Sequence, residues 1–111
     1  LQIPLVFGGA VRTDGQVTSF LPADEKSPCF RCLFPETDVE FAQAPSCAQA
    51  GILGTTTMVI GALQAAEAIR ILIGFGESLC GTLLLYDGLN ASFTPIKAQR
   101  APDCSACGHR P

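Results

Sequence analysis

Basic residues are few and scattered. The 111 residues hold 7 Lys and Arg against 10 Asp and Glu, a net charge of −3, and the pI is about 4.9. No positive stripe is present for a phosphate backbone to dock on, so nucleic acid is excluded as an expected partner. Secretion features are missing as well. The opening "LQIPLVFGG" carries no initiator Met, no basic n-region and no small-residue cleavage site, so no signal peptide is expected. The chain reads as starting at the lead-in to a strand, in the middle of something longer. Charge of either sign is sparse: 15% charged against 48% apolar residues excludes a disordered chain and describes a globular one with a buried core. At this length one domain is expected, with a core modest enough that extra staples are useful.

Cysteine is what the chain has in excess. Four of its six cysteines form two Cys-x-x-Cys pairs, Cys29 with Cys32 in "PCFRCLFPE" and Cys104 with Cys107 in "PDCSACGHRP". A Cys-x-x-Cys turn aims two thiolates at one point. Two such turns make a closed tetrahedral zinc site, with Zn–S distances of about 2.3 Å and no open position for water. Such a site is structural. Paired spacing without a secretion signal favours metal over disulfides. Gly108 lets the backbone turn sharply after Cys107. The pairs flank most of the chain, so one Zn²⁺ would pin the chain's end back onto an early loop and restrict the unfolded state. Two local disulfides and a redox Cys-x-x-Cys are the competing readings. A redox motif normally sits at a helix N-terminus, and neither pair is expected to do so. His109 is the alternative fourth ligand, otherwise a solvated tail residue.

The remaining pattern divides the chain into a hairpin (1–20), a zinc and crossover loop (21–50), a long helix (51–74), a second hairpin (81–98) and a terminal zinc knuckle (102–111). In the first hairpin, a three-residue loop Thr13-Asp14-Gly15 pairs Val11 with Val17 and Arg12 with Gln16, with Gly15 left-handed in a bulged turn. Gly8 and Gly9 predict a bulge or a close backbone. Four prolines and an acidic cluster mark the loop. In "GILGTTTMVIGALQAAEAIRILIGFG" the only charges are Glu67 and Arg70, spaced to pair on one face, with Gly74 and Gly76 as the stop. Each charge would cost about 2.5–3.5 kcal/mol at a bilayer centre. The run therefore predicts a helix buried on most sides rather than a membrane span. Leu83 to Tyr86 predict a strand covered on both faces, and Pro95 predicts that the last strand is an edge. Cys80 reads as a small core residue. Cys47, in the loop upstream of the helix, is either an idle loop thiol or one whose thiolate the helix dipole favours.

Taken together, "CFRCLFPE", "PSCAQAGILGTTTMVIGALQAAEAIRILIG", "GTLLLYDGLNASF" and "DCSACG" resemble the C-terminal part of the ThiF/MoeB/HesA family. These are ubiquitin-activating-enzyme-like adenylyltransferases that act on sulfur-carrier proteins. The resemblance implies an α/β fold, the C-terminal portion of a ThiF-like Rossmann-type fold. It implies structural Zn²⁺ on Cys29, Cys32, Cys104 and Cys107, and a catalytic role for Cys47 in a covalent link to the activated carrier. Its further implications are a homodimer and a cytoplasmic setting without membrane attachment. The small β-grasp carrier, of molybdopterin or thiamine biosynthesis, would be adenylated at its C-terminal Gly-Gly with ATP and Mg²⁺. No G-x-G-x-x-G follows a strand here. ATP and Mg²⁺ therefore belong to the full-length parent, and the fragment alone is expected to be inactive. A zinc-stapled interaction module without catalysis is the competing expectation.

Overall fold

Alternation in "LVFGGAV" and "DGQVTSF" builds an antiparallel pair, β1 (Leu5–Val11) and β2 (Asp14–Phe20). The structure is a computed structural model that describes residues 3–34, 51–102, 104 and 106. Beyond the pair come a one-turn helix α1 (Phe30–Leu33), the long helix α2 (Gly54–Ile73), and strands β3 (Thr82–Asp87) and β4 (Ser92–Lys97). The sheet order is β1-β2-β3-β4, and every neighbouring pair is antiparallel. The chain is α/β in content. The parallel strands that a Rossmann-type sheet implies are not among the described strands.

The first hairpin turns more tightly than its sequence predicts. Leu5 pairs with Phe20 and Val11 with Asp14, leaving a two-residue turn at Arg12-Thr13 with Arg12 at φ 56. The expected pairing of Val11 with Val17 is wrong, and Gly15 is not left-handed. Hydrogen bonds at the tip explain the register. Thr13 O accepts from Gly88 N (2.9 Å) and from Thr56 Oγ1 (3.0 Å). Arg12 is held on both sides, its N–H on Gly51 O and its carbonyl on Leu53 N, each 2.8 Å. Four partners for the tip outweigh matching like side chains across the strands. Gly8 and Gly9 make no bulge, since the pairing runs on through both. Gly8 is close to the Gln64 side chain rather than to another backbone. Gly15 is needed because a Cβ there would lie 2.5 Å from Ile60 Cγ1.

Directly opposed residues of antiparallel strands share a face, which assigns the layers. Gly8, Gly15, Val17 and Ser19 face α2. Phe7, Thr18 and Phe20 face the other way, where α1 lies. The helix α2 packs on β1 and β2 through Thr56, Ile60 and Glu67, its buried residues. It ends as expected: Gly74 is left-handed at φ 83, and its N–H reaches Arg70 O at 2.8 Å. One face is all that α2 buries, contrary to the expectation of burial on most sides. Met58 is 73% and Leu72 84% exposed, because the sheet supplies a layer on one side only. By length and composition α2 is apolar enough to cross a membrane. Leu83 to Tyr86 are half-buried rather than covered on both faces, since α2 lies over β1 and β2. β4 is exposed along its whole length, and Pro95 sits within it. The β3–β4 turn is tied by Asp87, which accepts from Leu89 N (3.0 Å) and Asn90 Nδ2 (2.7 Å). The Asn90 amide, then the Leu89 N–H, hold the Asp87 carboxyl below its ordinary range.

Glu67 ties the layers together. It is fully buried. Ser19 Oγ donates to its carboxylate at 2.5 Å and Leu79 N at 2.6 Å, while Arg70 Nε and Nη2 each lie 3.0 Å from Oε1. Helix, central sheet and the lead-in to β3 meet on one side chain.

Candidate metal centre

Cys29 caps α1, and the turn closes when Cys32 N donates to Cys29 O at 3.0 Å. The first Cys-x-x-Cys therefore does begin a helix, contrary to expectation. The segment that precedes it is anchored by the buried Ser27, whose Oγ accepts from Leu21 N at 3.0 Å and donates to Pro28 O at 2.8 Å. An aromatic cluster fixes α1 itself against the sheet. Phe30 packs on Phe7 (5.5 Å between ring centroids), Phe20 (6.4 Å) and Phe34 (4.9 Å), and Phe34 on Phe7 (5.4 Å). The variable residues of "CFRC" thus include the one that docks the loop on the sheet.

The segment that follows β4 returns to the same place. β4 runs into Ala98, whose N–H meets Gly81 O at 2.8 Å, and Arg100 Nη1 reaches Glu25 O at 3.0 Å. Ala101 N then donates to Cys32 Sγ at 3.4 Å, and Cys104 N to Ala101 O at 3.1 Å. Cys104, 75 positions after Cys29, places its sulfur 3.6 Å from Cys29 Sγ, which is itself 3.7 Å from Cys32 Sγ. All three sulfurs lie within 4.8 Å of one another, none is in a disulfide, and all three residues are half-buried.

Those spacings discriminate between the readings of the motif. A disulfide needs sulfurs about 2.05 Å apart. Four ligands at about 2.3 Å from a tetrahedral zinc have sulfurs separated by about 3.8 Å along each edge. The observed 3.6 and 3.7 Å match the edge. The donor set fits a soft, tetrahedral ion, and the Ala101 N–H supplies the kind of outer hydrogen bond that orients a metal-bound thiolate. Cys29, Cys32 and Cys104 are thus brought together. Cys107, its alternative His109, and Cys47 lie outside the described residues. Cys80 is half-buried, not a core residue, and is absent from the cluster. Sequence reasoning missed Arg100 and the aromatic dock. The Phe30/Phe34 spacing was the available signal for the second.

The sequence matches the ThiF family over residues 1–106. The chain belongs to the ThiF family. It is 48% identical over 111 residues to the sulfur carrier protein adenylyltransferase of Thermus thermophilus, covering 97% of this chain and 41% of that protein. It is 42% identical to the SAMP-activating enzyme E1 of Haloferax volcanii, covering 96% of this chain and 38% of that one. The adenylyltransferase and sulfurtransferase MOCS3 of Sus scrofa is 43% identical, with coverage of 97% and 23%. The chain thus spans under half the length of these relatives. Among solved structures, the crystal structure of E. coli MccB superposes with a TM-score of 0.76 at 18% identity, over 99% of this chain and 33% of MccB. The heterocyclase TruD gives 0.75 at 16%, over 96% and 18%. At these identities the likeness is one of fold.

Proposed function

We propose that this chain is the zinc-binding C-terminal part of an ATP-dependent adenylyltransferase that activates the C-terminal Gly-Gly of a small β-grasp sulfur-carrier protein, in molybdopterin or thiamine biosynthesis. The convergence of Cys104 on Cys29 and Cys32 carries the reading, because it gathers three soft donors able to hold a metal ion in a chain akin to sulfur-carrier adenylyltransferases. We assign Cys107 as the fourth ligand, on the spacing of its Cys-x-x-Cys with Cys104. A zinc with four thiolates has no vacant position, so it supplies closure and not Lewis acidity. The residues around it hold Ala98, Arg100, Ala101 and Cys104 to the segment that carries α1 and to the start of β3. ATP and Mg²⁺ have no loop to receive them in these 111 residues, and we assign both to the remainder of a cytoplasmic, homodimeric parent. Cys47 is the thiol that takes the activated carrier as a covalent adduct.

In the full-length parent, carrier-dependent exchange of pyrophosphate into ATP tests the reading. Exchange should be robust, and Cys47→Ala should spare it while abolishing the covalent carrier adduct. A parent without exchange activity contradicts the adenylyltransferase. The bare face of α2 favours a second reading, a zinc-stapled interaction module without catalysis. A parent gene lacking a strand followed by G-x-G-x-x-G would select it.

A further inference from the structure

Of the three clustered cysteines, Cys32 borders an opening. Cys32 lines a cavity of about 250 Å³ together with Leu33, Leu83, Ile96 and Lys97, and neither Cys29 nor Cys104 lines it. A water molecule occupies about 30 Å³ of liquid, so a solute of two heavy atoms fits easily. Cys32 also stands within easy reach of Cys29. Their sulfurs are 3.7 Å apart, and about 1.7 Å of approach would bring them to disulfide length. Both lie on one turn, closed by the Cys32 N–H on Cys29 O, so bonding them moves no distant segment. Cys104 belongs to another part of the chain, held to this one by Ala101 and Arg100.

We propose that Cys29 and Cys32 form a peroxide-oxidisable dithiol, entered through the cavity at Cys32, whose oxidation opens the metal clasp. The proposal rests on the zinc reading only for its consequence, not for the bond itself. The Cys32 thiolate attacks one peroxide oxygen, the O–O bond breaks, and a sulfenic acid and hydroxide result. The Cys29 thiolate then attacks the Cys32 sulfur, forming the S–S bond and expelling the second hydroxide. Two electrons pass from the two thiolates to hydrogen peroxide, and two protons from solvent complete two waters. Two of the ligands are consumed, so the metal leaves and Cys104 loses its tie to the loop. A thiol reductant reverses the bond.

The test treats the purified zinc-loaded chain with hydrogen peroxide. It follows released zinc with a chromogenic chelator and maps disulfides by mass spectrometry. Zinc release in step with a Cys29–Cys32 disulfide is expected, with both reversed by dithiothreitol and added zinc. Ile96→Trp, on the exposed strand at the cavity, should slow the oxidation several-fold while leaving the zinc content unchanged. Oxidation that starts at Cys104 or Cys80, or an unchanged rate in Ile96→Trp, overturns the proposal. If the chain binds no zinc, the metal reading fails separately, and the disulfide map still decides which pair oxidises.

Discussion

Glu67 is the side chain on which most of the described structure depends. A buried carboxylate persists only when its lone pairs are met, and here two neutral donors and one guanidinium meet them. Its pairing with Arg70 was legible from spacing in the sequence. Its role between helix and sheet was not, because Ser19 and Leu79 become neighbours only after the layers stack. Glu67→Ala strands the Ser19 hydroxyl and the Leu79 N–H without an acceptor, at about 1–3 kcal/mol for each buried group. We expect urea unfolding to show a loss of about 3 kcal/mol or more, and a smaller loss for Glu67→Gln, which keeps one acceptor oxygen. A Glu67→Ala variant as stable as the parent would show that the cluster merely fills space.

At the scale of elements, α2 is the segment whose sequence and surroundings disagree. Its outer face carries Met58, Ile69, Leu72 and Ile73, all exposed, and no charged residue. β1 is the outer strand of the described sheet. Surfaces of this kind drive association. Sedimentation should show the chain self-associating with rising concentration, and Leu72→Glu should shift it toward monomer with little change in melting temperature. A wild-type chain that stays monomeric at high concentration contradicts this. The apolar run of α2 could be read as helical from composition, as could its stop at Gly74. How many sides it buries could not, because that depends on layers a single sequence segment does not encode. The register of β1 and β2 was hidden for a related reason. Thr13 O and Arg12 take partners from Thr56, Gly88, Gly51 and Leu53, all remote in sequence, and those bonds override the local turn signal of Asp14-Gly15.

Across the whole molecule, the cysteine cluster brings together segments that the sheet alone leaves apart. The clustering of Cys29, Cys32 and Cys104 was legible in the Cys-x-x-Cys spacing, since ligand chemistry dictates residue type and interval together. The means of delivery was not recognisable: Phe30 on Phe7 and Arg100 on Glu25 are packing events between segments with no common pattern. A loop closed over so much of the chain stabilises mainly by restricting the unfolded ensemble. Chelation should therefore lower the melting temperature while the chain remains reduced.

Zinc-edge X-ray absorption on the purified chain, with the metal counted by elemental analysis, tests the central claim most directly. The account predicts one zinc per chain with four sulfur neighbours at about 2.3 Å, which also assigns the fourth position to Cys107 rather than His109. A metal-free chain carrying Cys29–Cys32 and Cys104–Cys107 disulfides would contradict it.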